Sequence, residues 1–138
     1  MDVTKLPFNE FIGLEFSESS DYLLFLNDKS EYQNHLGTVH ASALFALAEA
    51  TSGHFLFGEF ASLSSVIPVV RKVETKYRKP ANGKIFSKAA FHGTDKKDVF
   101  NSLEQKGKAL LNVEVSLFDE NKILIMQSVF EWFIIKQG

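Results

Sequence analysis

Apolar and polar positions along the chain follow two different periods. Residues 40–57, HASALFALAEATSGHFLF, are apolar on nearly every side, with Ala41, Ala43, Leu44, Phe45, Ala46, Leu47, Ala48 and Ala50 leaving little polar surface. A helix of that kind is buried around most of its circumference. After Gly58 the period falls to two. In residues 66–79 (VIPVVRKVETKYRK), Lys72, Glu74, Lys76 and Arg78 fall on one face and Val69, Val73, Thr75 and Tyr77 on the other. That alternation predicts a strand with one solvated side. Pro80-Ala81-Asn82-Gly83 supplies turn chemistry before a second strand over 84–93. Residues 94–107 are a charged excursion. Thr94 or Asp95 can cap a short helix, Val99 and Leu103 share a side at i, i+4, and Gly107 can end it. Strands follow over 108–118 and 122–135, joined by Asp119-Glu120-Asn121, and Leu111, Val113, Val115 and Leu117 form a clean buried face in the first of them. Ahead of the helix, residues 5–12 (KLPFNEFI) predict a helical turn with Leu6, Phe8, Phe11 and Ile12 as its apolar side. Residues 14–27 predict a strand, or a strand pair bent at Ser17–Asp21.

The order is therefore strand, long apolar helix, then four strands joined by short turns and one helical excursion. Short connections suit antiparallel neighbours, so a meander is expected after the helix. A sheet with one apolar face must cover it, and helix 40–57 is the one long apolar element available. The expectation is a single α+β domain over 1–138, a curled antiparallel sheet wrapped around one central helix. That architecture is the hot-dog fold.

Composition narrows the function. The 138 residues are 45% apolar and 23% charged with a formal net charge of −2, so neither nucleic acid nor an anionic membrane is an expected partner. The chain has no cysteine, which removes disulfides, thiolate metal sites and a cysteine nucleophile together and fits a cytoplasmic setting. Met1-Asp2-Val3-Thr4-Lys5 lacks the basic start and apolar core of a signal peptide. No apolar segment reaches the roughly 18 residues of a membrane span. His35, His54 and His92 have no partner at metal-ligand spacing, so no metal site is expected. Phenylalanine is abundant, at 14 residues, which means either a Phe-rich core or rings lining an apolar pocket.

The candidate chemistry lies in NHLGTVHASALFALAEATSG, residues 34–53. One acid, Glu49, interrupts the apolar helix, seven residues and nearly two turns after Ser42 on the same side. It either faces an opening in the sheet or sits in a low-dielectric site, where its pKa rises. The residues after His40 present backbone N–H groups without intrahelical acceptors at the positive end of the helix dipole. Such donors stabilise a developing oxyanion. Donors at the helix start and an acid two turns inside suit acyl hydrolysis without a nucleophilic Ser or Cys. Taken singly, His40 reads as a cap or packing residue and Asn34 as a turn residue.

The segment Asn34-x-x-Gly37-Thr38-x-His40-Ala41-Ser42-x-Leu44-x-x-Leu47-Ala48-Glu49 resembles the signature of hot-dog acyl-CoA thioesterases of the phenylacetyl-CoA thioesterase type, in the branch with Glu on the helix. Tyr77-Arg78-Lys79-Pro80 and Val113-x-Val115-x-Leu117-Phe118-Asp119 resemble that family's strands. The resemblance implies Glu49 as general base or nucleophile, Asn34 as holder of the water or thioester, and His40 at the helix start. It further implies the Ala41 and Ser42 amides as oxyanion donors, an acyl-CoA or acyl-ACP substrate, no cofactor beyond that coenzyme A, and a homodimer or dimer of dimers in which one subunit's helix meets the other's loop. Two departures from the family stand out. His40-Ala41-Ser42 replaces His-Gly-Gly, keeping the N–H groups but adding Cβ atoms, and Glu49 carries its carboxylate one methylene further out than Asp. The rivals are a hydratase or dehydratase on the same scaffold, and a non-catalytic acyl-thioester or lipid-binding module.

Overall fold

The computed structural model describes residues 1–62 and 65–137. A 3₁₀ turn at Val3–Lys5 leads into α1 (Pro7–Ile12), which Gly13 closes in the left-handed conformation at φ 86°. β1 (Glu15–Phe16) and β2 (Leu24–Leu26) then form an antiparallel pair, with Glu15 opposite Phe25 and Phe16 opposite Leu24. Of the two readings of 14–27, the bent pair is therefore the one adopted. A 3₁₀ turn at Ser30–Tyr32 precedes α2 (Ala41–Glu59). β3 (Val66–Tyr77), β4 (Ile85–Phe91), α3 (Lys96–Lys106), β5 (Lys108–Phe118) and β6 (Leu124–Lys136) complete the chain.

The six strands form one antiparallel sheet in the order β1-β2-β4-β5-β6-β3, curled as the hot-dog fold requires. The expected meander holds only for β4, β5 and β6. β3 pairs with β6 at the far edge, so the connection through Pro80–Gly83 crosses the end of the sheet instead of making a hairpin. Pro68 is compatible with this placement, since an edge strand need not donate from every N–H.

α2 packs across β2, β4, β5 and β6, and its Leu44, Leu47, Ala48 and Thr51 are buried. Leu47 is fully enclosed, a position where truncation to Ala generally removes about 2–5 kcal/mol. Against the helix stand Leu111, Val113, Val115 and Leu117 of β5, as their alternation predicts. Two buried polar links cross the layers: Thr51 Oγ1 lies 2.6 Å from Ser87 Oγ of β4, which also bonds the Leu24 backbone, and the Trp132 indole N–H of β6 donates to Ser52 Oγ at 3.2 Å. α3 is capped as expected, with Asp95 accepting from Lys97 N–H and Gly107 closing the end at φ 72°.

Two local readings are corrected. In β3 the register against β6 slips between Val70 and Lys72, so Val66, Pro68 and Val70 face partly inward before the bulge and Val73 and Thr75 after it. Val69, expected on the apolar face, is instead 50% exposed. A bulge reverses the side-chain parity of everything beyond it. In α1 the supposed apolar side is open, with Phe8 62% and Phe11 85% exposed, while the buried residue is polar: Asn9.

Candidate active site

The approach to α2 is a compact hairpin-like loop. Gln33 and Val39 pair across it, Gly37 N–H donates to the Asn34 carbonyl, and Gly37 takes φ 77°, a left-handed value that favours glycine. Asn34 holds this loop with its side chain. Its Oδ1 accepts from Leu36 N–H at 2.9 Å and Thr38 N–H at 3.1 Å, and its Nδ2 donates to Thr38 Oγ1 at 2.8 Å. The amide is thus engaged locally on both ends, as a turn residue's would be.

His40 is the N-cap of α2. Its backbone N–H donates to the Tyr32 carbonyl, and its ring Nδ1 accepts from Ser42 N–H at 2.9 Å. This contact changes the expected oxyanion pair. Ser42 N–H is occupied, and Ala43 and Leu44 N–H both donate to the His40 carbonyl. Ala41 N–H has no acceptor among the described residues and stands at the exposed helix start. Ala41 and Asn34 share a groove of about 300 Å³ with Thr38, Tyr77, Arg78 and Lys79. Tyr77 Oη closes on the Ala41 carbonyl at 3.4 Å.

Glu49 lies elsewhere. It faces a separate cavity of about 390 Å³, walled by Val3, Leu6 and Asn9 from the N-terminal segment, by Gly53 and Phe57 further along α2, by Pro68–Val70 of β3, and by Trp132 of β6. No hydrogen-bond donor or cation within reach holds the Glu49 carboxylate among the described residues. Burial among apolar walls pushes its pKa above the ordinary glutamate value, with no opposing charge to restore it. The carboxylate is therefore poised to exchange a proton nearer neutrality than a solvated one.

Within one protomer the structure brings Asn34 and Ala41 together and keeps Glu49 apart. Ala41 and Glu49 are eight residues apart, about 12 Å of helix rise, and the two lining sets have no residue in common. β3, which walls the Glu49 cavity, is an edge strand with Ile67, Val69 and Tyr77 all about half exposed.

Most phenylalanines pack on one another. Phe55 and Phe60 meet Phe91, Phe60 meets Phe100, and Phe45 meets Phe130. Phe57 alone of them lines the Glu49 cavity, so the Phe-rich core is the better of the two readings. Asn9 and Trp132 are site residues that the sequence reading missed. An Asn between Phe8 and Glu10, or a Trp in an apolar strand, carries no periodic signal of its own. Among the described residues no three His, Asp or Glu side chains gather closely enough to hold a metal ion, and no helix is long and apolar enough to cross a membrane.

Comparison with known proteins gives a consistent picture. The family model described as "Domain of unknown function (DUF4442)" matches residues 5–134. No curated protein matches the chain. Among solved structures, a Pseudomonas aeruginosa protein described as a "Probable Thioesterase" aligns with a TM-score of 0.80 and 25% identity over 98% of this chain and 91% of its own. A Haemophilus influenzae thioesterase aligns at 0.73 and 15% identity over 97% and 86% of the respective chains. A Bacillus halodurans protein solved with CoA aligns at 0.66 and 15% identity over 86% and 72%.

Proposed function

The chain belongs to the DUF4442 family, and we propose that it hydrolyses an acyl thioester carried on coenzyme A or ACP. The observation that carries this reading is Glu49, a carboxylate without a donor among the described residues, lining an apolar cavity. The thioesterase descriptions of two structural neighbours and the CoA held by a third support it.

In the proposed reaction, Glu49 accepts a proton from water as the water oxygen attacks the thioester carbonyl carbon. The carbonyl oxygen becomes an oxyanion beside Ala41 N–H, at the positive end of α2. Collapse breaks the C–S bond, and the thiolate takes the proton back from Glu49, leaving a carboxylic acid and a free thiol. No electrons change hands, so the step draws on no redox group. Asn34 fixes the loop that carries the helix start, and the His40 ring holds the first turn. Arg78 and Lys79 on the rim of the groove offer positive charge to the phosphates of the carrier.

The acid and the oxyanion donor are too far apart to serve one carbonyl within a protomer, so we assign each site to two copies of the chain. One supplies Glu49 and the other supplies Ala41, in a homodimer or a dimer of dimers. The free edge of β3, beside the Glu49 cavity, is the natural place for the second copy. A reducing compartment such as the cytoplasm suits both the cysteine-free chain and the substrate class.

The test is thiol release from short, medium, long and aromatic acyl-CoAs, comparing wild type with Glu49→Gln. Loss of about 10²–10⁴ in kcat with acyl-CoA binding retained supports a general base. One observation favours the rival, a non-catalytic acyl-thioester or lipid-binding module: His40 already takes Ser42 N–H, leaving one of the two amides that the sequence resemblance implies. Binding without turnover by the wild type on every substrate would establish that rival instead.

A further inference from the structure

Asn9 is the most deeply buried polar side chain of the N-terminal segment, at 5% exposure. Its Nδ2 donates to the Val3 carbonyl at 2.9 Å. That bond fixes which way the amide lies, because reversing it would set Oδ1 against a carbonyl oxygen. Oδ1 itself has no donor among the described residues, yet no fully enclosed side-chain oxygen or nitrogen there lacks a partner. Oδ1 is therefore open to some space. The cavity that Asn9 lines is the cavity of Glu49.

The rest of that cavity makes the pairing informative. Apart from Asn9, Glu49 and Met1, which brings the α-amino end of the chain to the rim, its walls are apolar except for the Trp132 indole N–H, and that N–H already donates to Ser52 Oγ at 3.2 Å. Two unengaged acceptors, an amide oxygen and a carboxylate, thus open into one apolar chamber. A buried acceptor left without a donor is costly, so both call for the same kind of occupant. Water supplies two donors to two acceptors and keeps a lone pair free. No apolar acyl chain can satisfy either group.

We propose that Asn9 holds the attacking water. Its Oδ1 accepts one hydrogen of that water, while Glu49 accepts the other and removes it as the oxygen attacks. The hydrogen on Asn9 stays with the water oxygen and ends in the carboxylic acid product, so Asn9 orients and takes no proton. This rests on the thioesterase reading above, and it makes the N-terminal segment part of the reaction machinery.

Two readouts test it on the full-length protein. The first needs no turnover. Glu49 is the one ionisable side chain among the residues lining the cavity, beside the α-amino group of Met1, so a second carboxylate there acts on it directly. With glutamate labelled at ¹³Cδ, and the Glu49 signal identified by its loss in Glu49→Gln, Asn9→Asp moves the Glu49 midpoint upward by about one pH unit. An unmoved midpoint places Asn9 away from Glu49 and overturns the proposal. The second readout is kinetic. Asn9→Leu lowers kcat about tenfold, the size expected of one lost hydrogen bond, with KM within about twofold. Asn9→Gln, which keeps the amide but displaces it, gives the same split if Asn9→Leu does not fold. A shifted midpoint with wild-type kcat in these variants, while Glu49→Gln is dead, overturns the role of Asn9 and leaves the thioesterase reading standing. A wild type inactive on every acyl-CoA overturns both.

Discussion

The two ends of the α2 site differ in how far their polar groups are already engaged. At the helix start, Asn34 makes three side-chain hydrogen bonds within its own loop, and His40 takes Ser42 N–H. What is left there for a ligand is Ala41 N–H. Two turns further on the situation reverses: Glu49 has no partner among the described residues, and its surroundings are almost wholly apolar. The comparison separates residues that build the site from those with capacity left for chemistry. Asn34 and His40 belong mainly to the first kind. Ala41 and Glu49 belong to the second, and the fold holds them in different chambers of one protomer.

The largest effect that sharpens this contrast is at Glu49. Beyond the loss of turnover in Glu49→Gln, activity of the wild type should fall as pH drops through the Glu49 pKa. Burial raises that value, so the acid limb of kcat lies above the range of an ordinary glutamate. A pH–rate profile flat down to that ordinary range would contradict the assignment. The next effect is at Ala41. Proline is well tolerated at the first position of a helix, and the extended backbone of His40 (φ −64°, ψ 139°) suits a residue before proline. Ala41→Pro therefore deletes the free N–H without unwinding α2. Its kcat should drop by about 10²–10³, the usual size for one oxyanion donor, with circular dichroism unchanged.

Asn34 should behave differently. Asn34→Ala removes the loop's internal bonds, so the main result is a loss of about 1–2 kcal/mol in stability, measured by urea unfolding. Activity per folded molecule should then fall by less than about tenfold. A hundredfold loss at unchanged stability would mean that Asn34 acts on the substrate itself. The smallest effect is the stability of Glu49→Gln. A folded-state pKa above the unfolded one means that the charged form opposes folding. That penalty is full above the folded pKa and vanishes below the unfolded one. Glu49→Gln should thus melt a few degrees higher than wild type at about pH 7, with the gain gone at about pH 4. An equal gain at both would point to packing instead of charge.

These contrasts also show which parts of the molecule could be read from the chain. The long helix, the β5 face of Leu111, Val113, Val115 and Leu117, and the Asp95–Gly107 caps are local patterns, and they appear where the pattern puts them. The place of β3 was not legible, because period-two alternation gives a strand its faces but not its neighbour. The parity of Val69 was lost to a bulge that leaves no mark in the residue types. Glu49 stood out because an acid is rare in so apolar a helix, and its raised pKa follows from the same apolarity. The engagement of Ser42 N–H by the His40 ring, and the burial of Asn9 in a helix whose Phe8 and Phe11 are exposed, depend on tertiary geometry and had no local signature.

The central claim is that one active site takes Glu49 from one copy of the chain and Ala41 from another, and mixed oligomers test it most directly. Glu49→Gln and Ala41→Pro should each be nearly inactive alone. When the two are mixed one to one, unfolded and refolded together, half of the dimers are mixed, and each of these contains one intact site. Thiol release should then recover to about a quarter of the wild-type rate. A mixture no more active than either variant alone would contradict the shared site and return both groups to a single protomer.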